Sequence, residues 1–412
     1  MSGETSRARL LALLGEACEL EHALCCSYLF AAFSIRRDIG EGLDWRQQQV
    51  ARDWASRIYH VAAQEMLHLA QAWNIMTACG GAPYYARPAF PQAARHFPLN
   101  IALSLRRFDA ATMDRFIVYE RPEGAVLLEA AVPPTELWPI DEGFEYDSVG
   151  ELYGEIARII RENDDPDLFI GDRGLQAGQA LVDFYDILEV SDRRTALAAI
   201  ERITEQGEGT RESREDSHFG VFRAIRAQLD ALDFEPALPV ADNPYVTRSV
   251  RQILVESGAD FAGAGPTVTM IEDHAAAHAV DLFNDVYVAM LQALAHIFAA
   301  RSGDPAARLR MARDALELMI TVIKPLGEAV CRLPSGHEGL NAGPSFEIGR
   351  HVPLPHDSAL AATVFGERLG QLYRRGLRLL EGAIPEGPRG QVGSAVRNLG
   401  RMAGLNPVKE AS

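Results

Sequence analysis

EMLHLAQAWNIMTACGGAP, residues 65–83, decides how the rest of the chain is read. Glu65 and His68 stand three apart, inside the series Ile58, Val61, Glu65, His68, Ala72 and Ile75. That spacing is one face of a helix, expected to run from about Trp45 to Cys79. Gly80-Gly81-Ala82-Pro83 is a stop signal. A charged group on an apolar face costs several kcal/mol if it is buried without a partner, roughly what is lost when one half of a buried ion pair is removed. A cation removes that difficulty, because side chains three apart can point at the same ion. The plainer reading is a Glu–His pair hydrogen-bonded inside a helical bundle.

Outward from this stretch the chain reads as mostly helix. Residues 6–37 carry Leu10, Leu14, Ala17, Leu24, Tyr28, Ala31 and Ile35, and Gly40 and Gly42 end the run. Residues 81–147 hold eight of the 22 prolines and two short β-like runs, Ile101–Leu105 and Phe116–Tyr119. They read as a long crossover connection. Further helices are expected at 148–161, 193–206 and 216–232, the last two separated by Gly207 and Gly209. Residues 233–244 look like a linker. A second helical unit follows at 268–300, 304–331 and 357–382, with Pro325 expected to kink its middle helix and an irregular tail after Pro385. The expected fold class is therefore all-α: a four-helix bundle with a long crossover over residues 1–235, and a C-terminal helical domain over 236–412.

The 412 residues, 48% of them hydrophobic, suffice for two cores. The formal net charge is −17 and the pI near 5.1, with only short basic clusters such as Arg106-Arg107 and Arg374-Arg375. Nucleic acid and anionic membrane are poor partners for such a surface. The longest apolar helix, Ala279 to Ala300, carries Asp281, Asn284, Asp285, Gln292 and His296, which excludes an ordinary membrane span. The N-terminus has no secretory apolar run. Five cysteines in no zinc or disulfide spacing read as buried free thiols in a reducing compartment. A cytoplasmic chain is expected.

Glu-x-x-His recurs at Glu19…His22, Glu65…His68 and Glu215…His218. In ferritin-like bundles two helices each give one Glu and two each give such a pair, together holding two metal ions. On the first helix Glu21 lies on the inward stripe and Glu19 off it, so Glu21 is the chosen ligand and His22 a packing or supporting histidine. On the third helix Glu151 and Glu155 are one turn apart, and periodicity does not separate them. His218 begins a stripe with Phe222, Ile225 and Leu229, and its carboxylate partner is Glu215 by spacing, or Glu205 or Glu208 before the glycine break. Tyr28, Tyr59 and Tyr153 read first as core aromatics. His274 and His278, with Asp281 and Asp285, are better read as a solvated or interface face than as a metal clamp. Glu328 and Glu347 receive no role.

These residues carry a resemblance. Glu-Ala-Cys-Glu-Leu-Glu-His at 16–22, Glu65-Met66-Leu67-His68 with its glycine stop, Val149-Gly150-Glu151-Leu152-Tyr153, and Glu205-Gln206-Gly207-Glu208-Gly209 with Ser217-His218-Phe219 resemble the ferritin-like domain of the iminophenyl-pyruvate dimer synthase family. That family includes proteins of violacein and related bisindole pathways. Lys324-Pro325-Leu326-Gly327-Glu328 and Gly343-Pro344-Ser345-Phe346-Glu347 are similar to the C-terminal half of its stand-alone members. The resemblance favours Glu151 over Glu155. It implies a metal-ligand set drawn from Glu21, Glu65, His68, Glu151, Glu208, Glu215 and His218, two ions with iron foremost, and no assigned catalytic residue. The chemistry of such a dimetal site leads to the expectation of a di-iron-carboxylate oxidase or oxygenase using O2, with a small amino-acid-derived metabolite as substrate by analogy and a homodimer as a further expectation. The competing readings are a non-redox imine-joining enzyme and an iron-handling protein. The crossover and second unit argue against a storage cage. The large dimer synthases are considerably longer than this chain.

Overall fold

A computed structural model describes residues 6–87, 89–92, 103–122, 146, 148–179, 181, 186–208, 215–231, 233–246, 268–299, 305–349, 352–382 and 384–405. Several of the bundle's helices start where a polar side chain takes up free N–H groups. Ser6 accepts from Arg9 N–H to open α1 (Arg7–Ser34), and Asp44 with Gln47 forms a reciprocal cap for α2 (Trp45–Ala78). Gly80 ends α2 in the left-handed conformation, φ +86°, and the Gly81 N–H closes on Met76 O at 2.9 Å. Asp109, Ser148 and Ser217 cap α3 (Ala110–Tyr119), α4 (Val149–Glu162) and α6 (His218–Leu229). Between the last two lies α5 (Arg193–Glu208).

α1 and α2 pack along each other as the central pair. α4 lies against α1, and α5 and α6 together close the bundle beside α2. The fold is thus the expected helical bundle, with one difference inside the crossover. The run Phe116–Tyr119, expected as β-like, is the second half of α3. Its Met113, Phe116 and Tyr119 are buried at helical spacing, and the Asp109 cap precedes them. Of the other β-like run, residues 101–102 lie outside the described part, and Leu103–Leu105 form no strand. α3 leans on α6, and Tyr28, Phe116 and Phe222 clamp α1, α3 and α6 together with ring centroids 4.5–5.1 Å apart.

The C-terminal helices are α7 (His274–Ala299), α8 (Pro305–Leu318), α9 (Lys324–Val330), α10 (Ser358–Glu381) and α11 (Glu386–Met402). The tail after Pro385, expected to be irregular, is α11: Val392, Ala395, Val396 and Leu399 are buried at helical spacing despite its glycines. A short parallel pairing joins β1 (Pro244–Tyr245) to β2 (Thr269–Met270). One continuous set of buried apolar side chains runs from Leu10 to Leu399. Gly327 of α9 allows close approach to α1, for a Cβ there would lie 2.5 Å from the Phe33 ring. No helix is long and apolar enough to cross a membrane among the described residues.

Pro325 has no N–H to give to the turn before it. The chain answers by widening: Met319–Ile323 form a π turn between α8 and α9, in which Lys324 N–H reaches Met319 O. The Thr321 carbonyl, whose α-helical donor would be Pro325, accepts from Asn398 Nδ2 of α11 at 3.1 Å. Asn398→Ala is therefore expected to lower the unfolding free energy by about 1 kcal/mol in denaturant titration. No loss of stability would show that this bond does not hold α11 in place.

Candidate metal centre

The interior between α1, α2, α3 and α6 holds two groups of metal-ligating side chains: Glu21, Glu65 and His68, and Glu65, Glu120 and His218. Within each group the ligand atoms lie within 4.8 Å of one another, and all five residues are buried. Glu65 belongs to both. Its Oε2 stands 3.3 Å from His68 Nδ1, and its Oε1 stands 2.8 Å from His218 Nδ1. Glu21 Oε2 completes the first group at 3.5 Å from His68 Nδ1, and Glu120 Oε2 the second at 3.5 Å from His218 Nδ1. The two imidazoles lie 5.3 Å apart, tilted by 26°.

Supporting contacts fix these side chains. Gln206 Oε1 of α5 lies 2.9 Å from His68 Nε2, so that nitrogen carries the proton and Nδ1 faces the carboxylates. Tyr153 OH donates to Glu21 Oε1 at 2.7 Å, and Tyr28 OH donates to Glu120. His218 is fully buried, and neither of its ring nitrogens has a hydrogen bond of acceptable geometry; nor does Glu65 Oε1. Orphaned buried acceptors facing one another are what a cation would satisfy. Each group could hold a metal ion, and Glu65 belongs to both.

The electrostatics say the same. Burial and the neighbouring Glu65 push Glu21 up to about 7. Burial and Glu120 oppose the ionisation of Glu65, yet His218 and a hydrogen bond with Glu21 hold it below its ordinary value. Burial disfavours charge on His68, but Glu21 and Glu65 outweigh it and raise the imidazole well above its usual range. His218 is raised to about 9, with Glu65 and Glu120 overcoming its burial. Protons thus supply the positive charge that these acids need, at the positions where ligand atoms converge.

The structure brings together Glu21, Glu65, His68 and His218 of the sequence-derived set. It does not bring in Glu151 or Glu215. The face that α4 turns to the bundle carries Leu152, Tyr153, Ile156 and Ile159, and Glu151 lies one position off it. Glu155 pairs with Arg158 at 2.6 Å and Arg9 at 3.5 Å. Glu215 is exposed and precedes the Ser217 cap, so it is not on the helix that His218 begins and the three-residue spacing does not bring them to one face. Glu205 is exposed, and the Glu208 side chain lies outside the described part.

Glu120, which the sequence reading did not single out, stands in the cluster, where Glu151 does not. It caps the C-terminus of α3, and the signal for it was Met113, Phe116 and Glu120 at helical spacing behind Asp109. Tyr28 and Tyr153 touch ligand carboxylates, whereas Tyr59 donates to Glu328 at 2.8 Å, which also pairs with Arg37. Glu347 accepts from Ser345 and from Val246 N–H. His274 and His278 are exposed, and Asp285 pairs with Arg368 and Arg375. His22 sits between Tyr85 O and Tyr287 OH, and all five cysteines are buried and free.

A narrow cleft, open in part to solvent and with a cavity volume of about 20 Å³, reaches the cluster. Glu21, Glu65, His68 and Glu120 form one end. Leu24, Tyr119, Val149 and Ile203 line its apolar sides, and Arg121 also faces it.

Among known proteins, the chain is 31% identical over 391 residues to dichlorochromopyrrolate synthase of Lentzea aerocolonigenes, covering 84% of this chain and 36% of that protein. It is 28% identical over 413 residues to 2-imino-3-(indol-3-yl)propanoate dimerase of Chromobacterium violaceum, covering 92% of this chain and 38% of that protein. It thus spans little more than a third of the length of either relative. A solved structure of a ferritin-like protein from Caulobacter vibrioides is 20% identical, with a TM-score of 0.47 over 76% of this chain and 94% of that one. The sequence model of the Ferritin-like family matches residues 14–227, more than half of the chain: this protein belongs to the ferritin-like family.

Proposed function

We propose that this protein is a di-iron-carboxylate oxidase or oxygenase that acts on a small aromatic metabolite derived from an amino acid. One observation carries the reading: Glu65 stands between two buried imidazoles, each with a further carboxylate, at the end of a pocket. When bound there, two ferrous ions supply electrons to dioxygen. The chain supplies the rest. Glu21, Glu65 and His68 would hold one ion and Glu65, Glu120 and His218 the other. Gln206 accepts from His68 Nε2–H and so turns Nδ1 toward the carboxylates, and Tyr153 and Tyr28 orient Glu21 and Glu120. Leu24, Val149 and Ile203 keep the pocket dry on the sides away from the acids. The relatives' names, a dichlorochromopyrrolate synthase and a 2-imino-3-(indol-3-yl)propanoate dimerase, suggest the substrate class. The same names favour a second reading, in which the chain joins two imine units without redox chemistry.

Protein purified under argon and loaded with ferrous iron is expected to hold about two iron atoms per chain by elemental analysis, one for each group of ligands. His68→Ala and His218→Ala should each lose about one, and Glu65→Ala, which touches both groups, most of both. Equal iron in all four proteins would sink the assignment.

Oxygen consumption separates the two readings. The iron-loaded protein, given an aromatic 2-imino acid generated in place, should take up O2 in proportion to product, and Glu65→Ala should slow uptake by about 100-fold or more. Product formed under argon at the aerobic rate would favour joining without redox chemistry.

A further inference from the structure

We propose that Asp186 is a positioning residue for the metal centre: through the Gln206 amide it fixes which nitrogen of His68 is left to take an ion. The inference rests on the reading of Glu21, Glu65 and His68 as metal ligands. Gln206 bridges two groups. Its Oε1 lies 2.9 Å from His68 Nε2, and its Nε2 donates to Asp186 Oδ2 at 3.3 Å. A carboxamide can sit either way round, but an ionised carboxylate only accepts. Asp186 therefore takes the NH2 end and turns the carbonyl end to His68. A carbonyl oxygen also only accepts, so His68 Nε2 donates, and Nδ1 is the nitrogen that remains for an ion.

Two helices hold this relay in place. Arg202 and Gln206 stand four apart on one face of α5, and both reach Asp186. Arg202 Nη1 pairs with Oδ1 and leaves Oδ2 to the amide. The stretch after Asp186 is fastened to α2, the helix that carries His68. Gln71, one turn beyond His68, donates to Leu188 O at 2.9 Å and accepts from Leu188 N–H at 2.7 Å, and Asn74 donates to the same carbonyl at 2.9 Å. Gln176 makes the same double bond with the Val190 backbone, at 2.6 Å each way. Gln71, Asn74 and Gln176 are all buried. Buried amides that grip two backbone residues hold the segment at one height along α2, and the side chain it brings to Gln206 is Asp186. The Glu205-Gln206-Gly207 stretch thus reaches the cluster through its glutamine: Glu205 is exposed, and a Cβ at Gly207 would lie 3.3 Å from Glu120 Oε2.

The test reads metal affinity rather than turnover. Cobalt(II), a divalent probe stable in air, is titrated into the full chain by calorimetry, and the wild type is expected to show two binding events, one for each group of ligands. Asp186→Asn keeps the size of the side chain but can donate as well as accept, so the Gln206 amide is free to turn round and set its NH2 against His68 Nε2. The ring then carries its proton on Nδ1, where it cannot ligate. One binding event should weaken by about 10-fold or more, and the other should match the single event of His68→Ala. Gln206→Glu combined with Asp186→Asn puts an acceptor-only group back against His68 Nε2 and should restore both events to within about threefold of the wild type, a repair that a merely loosened segment would not allow. The proposal is overturned if Asp186→Asn binds both ions like the wild type, if it weakens both events alike, or if the double variant stays as weak as the single one. Those three results leave the metal-ligand reading standing; a wild type that takes up no cobalt ends that reading and this assignment with it.

Discussion

A carboxylate buried between two imidazoles is the constraint around which this bundle is built. Glu65 sits in the middle of the longest helix, with 1% of its surface exposed, and no arrangement of apolar neighbours can make that position tolerable. Positive charge must stand beside it. The chain brings His68 from the same helix and His218 from α6, and each histidine in turn requires a second acid. From that requirement follow the inward faces of α1 and α6 and the docking of α3 against them.

The C-terminal helices contribute to the same end by holding α1. Phe33 of α1 stacks on Phe346 and meets Phe283 edge-on, and Gly327 lets α9 come close enough to touch it. Phe346 takes a left-handed conformation, φ +49°, which is unfavourable for a side chain with a Cβ. Its packing against three aromatic rings offsets that cost. His22, next to Glu21, is held between Tyr85 and Tyr287, so α7 also reaches the ligand-bearing turn of α1.

The helical class and four of the five clustered residues were legible in the sequence because they lie on helices with strict periodicity. Glu21 and Glu65 interrupt apolar stripes, and such an interruption is visible without coordinates. Glu120 was not legible in the same way. It sits at the end of a ten-residue helix within a proline-rich stretch, and four of that helix's residues, Phe116 to Tyr119, also suit a strand. Glu151 and Glu215 were plausible for the opposite reason: spacing alone cannot say where a helix begins or which side of it faces inward. For Glu215 the beginning of α6 decides, and for Glu151 the orientation of α4 does.

The two groups of ligands differ in how much chain each must gather. Glu21, Glu65 and His68 come together as soon as α1 and α2 form their antiparallel pair. Glu65, Glu120 and His218 require the folded crossover and α6, with more than 150 residues between the first and last of them. Closing the longer loop costs more entropy, though only logarithmically with its length, and depends on more separate packing events. The second group therefore depends on more of the chain than the first. A local loosening of α3 would part Glu120 from Glu65 and His218 while Glu21, Glu65 and His68 stayed together.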